Sequence, residues 1–262
     1  GGQRGREALL SLKNVIDRMS EPMDSTSSRE GFEIVRRRLF EPLTTRDQQV
    51  GRDKVARAFG ELYRSEQSEF PAETMDISYE EHIKNTYPIH PEVFNRLYED
   101  WSTLPTFQRT RGVLRLMASV IHSLWESGDP SPLIMPGSIP IDDPRVKSEL
   151  LKYLQEGADV WRPIVDQDVD GSDSLPTRLD NEIPNIGRIS GARRVARTVY
   201  MGSAPIASSS NIGIEENRIK LGCVLPGEPI SVFGDALRRL GQSSTYLYQD
   251  ATRYWYSTQQ TL

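Results

Sequence analysis

A chain of 262 residues can hold one large domain or two ordinary ones around a sizeable core. Its 37% hydrophobic and 26% charged content is globular but on the polar side, and a net charge of −5 excludes a global attraction to nucleic acid, so any such binding needs a local patch. One cysteine, Cys223, excludes an internal disulfide and a cysteine metal site, and no apolar run approaches the roughly 20 residues of a membrane span.

The first segment, "REALLSLKNVIDRM", has the spacing of a helix with Leu9, Leu12, Val15, Ile16 and Met19 on one face. "STSSREGFEIVRRRLFEPL" opens on a serine-threonine cap and turns Phe32, Ile34, Val35, Leu39 and Phe40 inward until Pro42. "RDQQVGRDKVARAFGELYRSEQSEF" predicts a third helix, with Val50, Val55, Ala58, Phe59 and Leu62 inward. "SYEEHIKNTY" and "PEVFNRLYEDWS" are short helices, the second with Pro91 in its first turn. The helix over residues 106–125 is the longest and most apolar. "SPLIMPGSIPI" is extended, and "DPRVKSELLKYLQEG" runs from an aspartate cap to Gly157. A flexible acidic junction is expected within "DQDVDGSDSLPTRLDNEIPNIG". Three short helices follow, "GARRVARTVYMGS", "IEENRIKLGCVL" and "PISVFGDALRRLG", and then two aromatic strands joined near Asp250 and Ala251.

Most chemical motifs are absent. The chain has neither GxxxxGK[ST] nor GxGxxG, so this piece alone holds no nucleotide by a phosphate loop. His82, His90 and His122, with Glu80, Glu81 and Glu92, match no metalloprotease spacing, and His90 before Pro91 reads as a capping or packing histidine. "DQDVDGSD", residues 166–173, imitates a calcium loop, but the twelfth position falls on Thr177, so it reads as a solvated acidic loop. Glu30 with Glu33, and Glu215 with Glu216, complement helix dipoles. Cys223 reads as a small core residue.

The arginines remain. Gln108, Arg111, Arg115, Ser119 and His122 form one stripe of the 106–125 helix, opposite Val113, Leu116, Met117, Val120, Leu124 and Trp125. Arginines near a helix start suit an anion, because free backbone N–H groups add to their charge. The same stripe equally suits ion pairs with Glu92 or Glu99.

"GFEIVRRRLFEPL", "YPIHPEVFNRLYEDWSTLPTFQRTRGVLRLMA" and "YLYQDATRYWYST" together resemble large bacterial AAA+-type ATPases catalogued as a domain-of-unknown-function family. These lie beside DNA modification, restriction or phage-defence genes. The resemblance runs over most of the chain, with "FQRTRG" its most specific part. It implies that this is an internal or C-terminal piece, since the phosphate loop and the acidic magnesium motif precede the part seen here. ATP and Mg would then belong to the full-length protein, none being expected for this piece alone, which should not turn over ATP. It also implies that "TRGVLRL" opens a lid helix whose arginine senses the γ-phosphate. That role maps best onto Arg111, with Arg109 and Arg115 as rivals, and less well onto the arginines at 36–38 as a finger to a neighbouring subunit.

Three helices and a hairpin are the order of a winged helix. Its third helix would turn Ile230, Phe233, Leu237 and Leu240 inward and Ser231, Asp235, Arg238 and Arg239 outward. Arg193, Arg194 and Arg197 on the first helix, Arg238 and Arg239 on the third, and Arg253 near the wing are the candidate phosphate contacts. The expected fold is mainly α: an AAA+ lid-like helical bundle over 1–157, an acidic junction over 158–188, and a winged-helix-like module with a short β-hairpin over 189–262. The expected function is the nucleotide-sensing and partner- or DNA-binding portion of an AAA+-type ATPase, incomplete as a catalyst. Its partners would be the missing nucleotide-binding core, DNA, and other subunits of a defence or modification complex. The alternative is a non-enzymatic interaction scaffold whose winged helix docks protein. A cytoplasmic location with no membrane partner is expected, given a lone cysteine and no signal peptide.

Overall fold

The computed structural model describes residues 28–262. The helix expected over residues 6–19 lies outside them. Among the described residues the chain is mainly α, with a small antiparallel sheet near its C-terminus.

Helix α1 (Ser28–Leu39) buries Phe32 and Val35, the two positions one turn apart on its inner face. Helix α2 (Arg46–Ser65) opens on a capping box. The Thr45 hydroxyl accepts from the Gln48 N–H, and the Gln48 side chain accepts from the Thr45 N–H. Its inward face is Ala56, Phe59 and Tyr63. Val50, expected inward, is 41% exposed, because the first turns of α2 extend past the core.

Helix α3 (Ser78–Thr86) and α4 (Pro91–Asn95) follow, and α4 continues into a wider π-turn, Arg96–Asp100. Helix α5 (Arg109–Ser127) begins later than its apolar pattern implies. Trp125, expected among the apolar arc, is 65% exposed, because the last turn of α5 overruns the core. The proline-rich stretch is irregular, apart from one parallel bridge between Ile89 and Ile134 and a 3-10 turn, Pro136–Ser138. Helix α6 (Pro144–Leu151) has the expected Asp143 cap but stops at Leu151 rather than Gly157.

The segment read as a flexible acidic junction is helical. It forms α7 (Ala158–Ile164), a π-turn (Val165–Val169), α8 (Leu175–Glu182) and α9 (Pro184–Gly187). Asp168 and Asp170 within it are 1% and 0% exposed. The solvated-loop reading fails because backbone and arginine donors elsewhere in the chain draw these carboxylates inward.

Helix α10 (Gly191–Ser203) is the axis of the C-terminal half, with Val195, Ala196, Val199 and Tyr200 fully buried. Around it lie α11 (Glu216–Cys223), α12 (Ile230–Ser243), and strands β1 (Ile214–Glu215), β2 (Leu247–Asp250) and β3 (Arg253–Tyr256). The sheet order is β1-β3-β2, all antiparallel, with Tyr254 paired to both Ile214 and Gln249. Helix, strand, two helices and hairpin is the winged-helix order, with β1 an addition to the expected elements.

One hydrophobic cluster runs from Phe32 to Tyr256 without a break at 158–188. The Trp101 indole N–H donates to the Met201 carbonyl at 2.9 Å, and the Tyr200 hydroxyl donates to the Leu150 carbonyl at 3.2 Å. Both bonds tie the first half of the chain to α10.

Candidate functional site

The approach to α5 is tightly constrained backbone. Gln108 and Arg109 have φ of 66° and 38°, a left-handed region that non-glycine residues rarely adopt. A Cβ at Gly112 would lie 2.0 Å from the Phe107 carbonyl oxygen, so "FQRTRG" closes this turn only with glycine in its last place. Phe107 is buried edge-on against Tyr153, with ring centroids 5.4 Å apart. The Thr110 and Tyr98 hydroxyls share a buried hydrogen bond of 3.0 Å. These contacts fix where the three arginines project.

The three differ in surroundings. Arg109 is exposed, and among the described residues it has no carboxylate within ion-pair distance. Arg111 is half-buried and has an interaction of its own. Arg115 donates to the Tyr153 hydroxyl and to Gln108 Oε1 at 3.5 Å, and lies 3.9 Å from Glu149. The carboxylates weighed as partners for this stripe, Glu92 and Glu99, bind Arg96 instead, at 3.1 and 3.0 Å.

Each of the six arginines expected to touch nucleic acid faces a carboxylate of the same chain. Arg193 and Arg197 grip buried Asp170 at 3.0 and 2.7 Å and reach Asp142 at 3.3 and 3.4 Å. Arg194 meets both Glu228 oxygens at 2.8 Å and lies over the Phe233 ring. Arg238 and Arg239 share Asp235 at 2.6 and 3.1 Å. Arg253 binds Glu215 at 3.1 Å and the carbonyls of Ile212 and Gly213. Burial pushes the Asp170 carboxyl up, but Arg197 and Arg193 outweigh it and hold the carboxyl below its ordinary value.

Sequence reading missed a further charged cluster, although the helical spacing of Glu92, Glu99 and Asp100 from Arg96 was a local signal for part of it. Arg96 touches Glu92, Glu99 and Asp100, while Arg218 of α11 touches Glu92 at 2.9 Å and also Glu73. Lys220 adds a bond to Glu69 at 2.6 Å. Glu92 is 1% exposed and lies 126 positions from Arg218, a distance no local spacing rule spans. Burial pushes the Glu92 carboxyl up against the pull of Arg96 and Arg218.

His90 caps α4, as its place before Pro91 implied. Its Nδ1 accepts the Glu92 N–H at 3.0 Å, which leaves the proton on Nε2, 2.8 Å from the Tyr63 hydroxyl. Burial drives His90 down to about 3 and Tyr63 well up, so neither exchanges a proton near neutral pH. Cys223 is fully buried, and burial pushes its thiol up to about 11, as befits a core residue. Among the described residues no group of three or more histidine, cysteine or acidic side chains is placed to hold a metal.

A family model described as "DUF499 second domain" matches residues 27–214. The chain belongs to the DUF499 family. This is a domain-of-unknown-function family, as the resemblance implied. The family match covers the arginine-bearing start of α5, the Asp170 clasp and the Glu92 side of its cluster, and ends at β1, before α11 with Arg218 and Lys220, α12 and the hairpin. No match was found among curated proteins or among solved structures. Among the described residues no helix is long and apolar enough to cross a membrane.

Proposed function

We propose that this chain is the phosphate-sensing, partner-facing portion of an AAA+-type ATPase whose nucleotide core lies outside it. The observation that carries the reading is Arg109, an exposed guanidinium without a carboxylate partner among the described residues, presented by a turn held left-handed by its own packing. A preset cation suits a charge that appears only when another part of the protein closes on it. Arg109 therefore takes the sensing role ahead of Arg111 and Arg115, which already have interactions within the chain. ATP and Mg would be held by that other part. The description of the matched family model as a second domain fits a chain that follows another unit.

The test is the steady-state ATPase rate of the full-length protein. Arg109→Ala is expected to slow turnover by about tenfold or more while changing ADP affinity little, because a contact to the γ-phosphate is lost with ATP alone. Arg111→Ala and Arg115→Ala are expected to have smaller effects. Parental rates in all three variants would remove the sensing role and leave an interaction scaffold.

The pairing of six arginines with carboxylates favours a second reading for the C-terminal module, that it docks protein rather than DNA. Phosphates would have to displace Asp170, Glu228, Asp235 and Glu215 from their partners before gaining any contact. Duplex DNA binding that weakens in Arg238→Ala and Arg239→Ala variants, with a shallower salt slope, would reverse this preference.

A further inference from the structure

A cavity of about 590 Å³ lies between α1, α2 and α3, apart from the arginines at the start of α5. Its size falls within the roughly 300–1,000 Å³ of small-molecule sites. Phe32, Arg36, Tyr79, Asn85, Thr86 and Asn95 contribute to its wall. Tyr79 is 6% exposed, and its buried hydroxyl has no hydrogen-bond partner among the described residues. The Nε of Arg36 is likewise buried and unpartnered. Buried polar atoms are seldom left this way in folded proteins, and two beside one cavity indicate a missing partner.

The chemistry of that partner follows from the two atoms. The Arg36 N–H can only donate. Burial, reinforced by the negative charge of Glu92, pushes the Tyr79 hydroxyl well above its ordinary value, so it keeps its proton and can donate too. The occupant must therefore supply acceptors.

The wall charges set its sign. Glu33 is paired with Arg37 at 2.5 Å, and Glu73 with Arg218. Arg52 is paired with Asp53 and Lys84 with Glu81, each at 3.0 Å. Among the described residues Arg36 has no carboxylate within ion-pair distance, which leaves one uncompensated positive charge at the cavity. Phe32 supplies an apolar surface beside it, its ring 6.2 Å from that of His82.

We propose that this cavity binds a small organic anion, a carboxylate or a phosphate ester, whose oxygens accept from Arg36 Nε and the Tyr79 hydroxyl while its carbon skeleton lies against Phe32. The site is independent of the phosphate-sensing reading of Arg109.

The experiment is calorimetric titration and thermal unfolding of the whole chain with citrate and with glycerol 2-phosphate at millimolar concentration and constant ionic strength. At least one probe should bind saturably and raise the Tm; citrate alone would assign a carboxylate, glycerol 2-phosphate alone a phosphate ester. Arg36→Gln is expected to weaken binding by about tenfold, as for a lost charge-assisted bond. Tyr79→Phe removes an orphaned donor, so the unliganded chain should be at least as stable while the ligand-induced Tm shift shrinks. If Arg36→Gln fails to fold, Arg36→Lys reads the same contact, since it keeps the charge and lacks Nε. No saturable binding of either probe, or equal binding by parent and both variants, would overturn the proposal.

Discussion

Asp170 and Asp100 are both buried aspartates bound by arginine, yet their protons answer to opposite forces. Asp170 is fully buried, but Arg197 and Arg193 together outweigh that burial and hold its carboxyl below the ordinary value. A depressed folded-state value means stability that is present above the unfolded value, about 3.9, and lost as pH falls through the folded one. Asp170→Asn is therefore expected to cost about 3–5 kcal/mol near neutral pH, by removing the buried carboxylate that two guanidinium groups share and leaving them only Asp142, and to cost little once the parent carboxyl is protonated. Urea unfolding across the acid range would show the two curves converge. Asp100 lies 2.8 Å from Arg96, but burial prevails and pushes its carboxyl up to about 6. A raised value means stability that is full below the unfolded value and lost as pH rises through about 6. Asp100→Asn should therefore gain about 1–2 kcal/mol at pH 7 and nothing at pH 4; a loss at pH 7 would mean that Arg96 dominates after all. The Arg96 partner of Asp100 stands at helical spacing in the sequence, but its burial does not show there, and for Asp170 neither partner nor burial was legible. The partners of Asp170 stand 23 and 27 positions away, so an acidic segment with no local counter-charge reads as solvated.

Helices declared themselves wherever local chemistry decides. The Asp143 cap of α6 and the apolar face of α12 are local patterns, and each is found where its spacing placed it. The π-turns at Arg96–Asp100 and Val165–Val169 and the two-residue strand β1 were not legible, because packing against distant elements or pairing with β3 defines them. The start of α5 lies between these cases. "FQRTRG" stood out as a motif, but its left-handed residues follow from the contact of Gly112 with the Phe107 carbonyl, which only the folded chain reveals. Two glycine substitutions on two helices should thus have opposite signs. Gly112→Ala places a carbon 2.0 Å from a carbonyl oxygen and is expected to cost at least about 3 kcal/mol. Gly51→Ala in α2 meets nothing within 4 Å and should gain about 0.5–1 kcal/mol by helix propensity. Chemical denaturation of the two variants reads both numbers. A mild Gly112→Ala effect would mean that the turn relaxes, and the preset position of Arg109 would lose its basis.

At the scale of the whole molecule, the expected division at residue 157 and the observed core make different predictions. Two units joined by an acidic linker would unfold separately and survive separation. The packing argues for one cooperative unit, because the strongest ties cross the division. Trp101, fully buried, donates to the Met201 carbonyl and packs 6.1 Å from the Tyr200 ring. Tyr200 in turn bonds the Leu150 carbonyl. Arg218 and Lys220 of α11 reach back to Glu92, Glu73 and Glu69. Removing everything after residue 157 would expose Trp101, leave the Leu150 carbonyl without its donor, and strip buried Glu92 of one of its two arginines. Glu92 would keep Arg96, yet breaking a buried ion pair by removing one partner costs up to about 3–5 kcal/mol, a large share of the roughly 5–15 kcal/mol that holds a domain folded. Thermal unfolding of the whole chain is thus expected to give coincident transitions by far-ultraviolet circular dichroism and by tryptophan fluorescence. The fragment ending at residue 157 should show no sigmoidal transition. Two separated transitions in the whole chain, or a cooperative fragment, would show instead that the helical bundle is stable without α10 and that the ties across residue 157 only dock one folded unit on another.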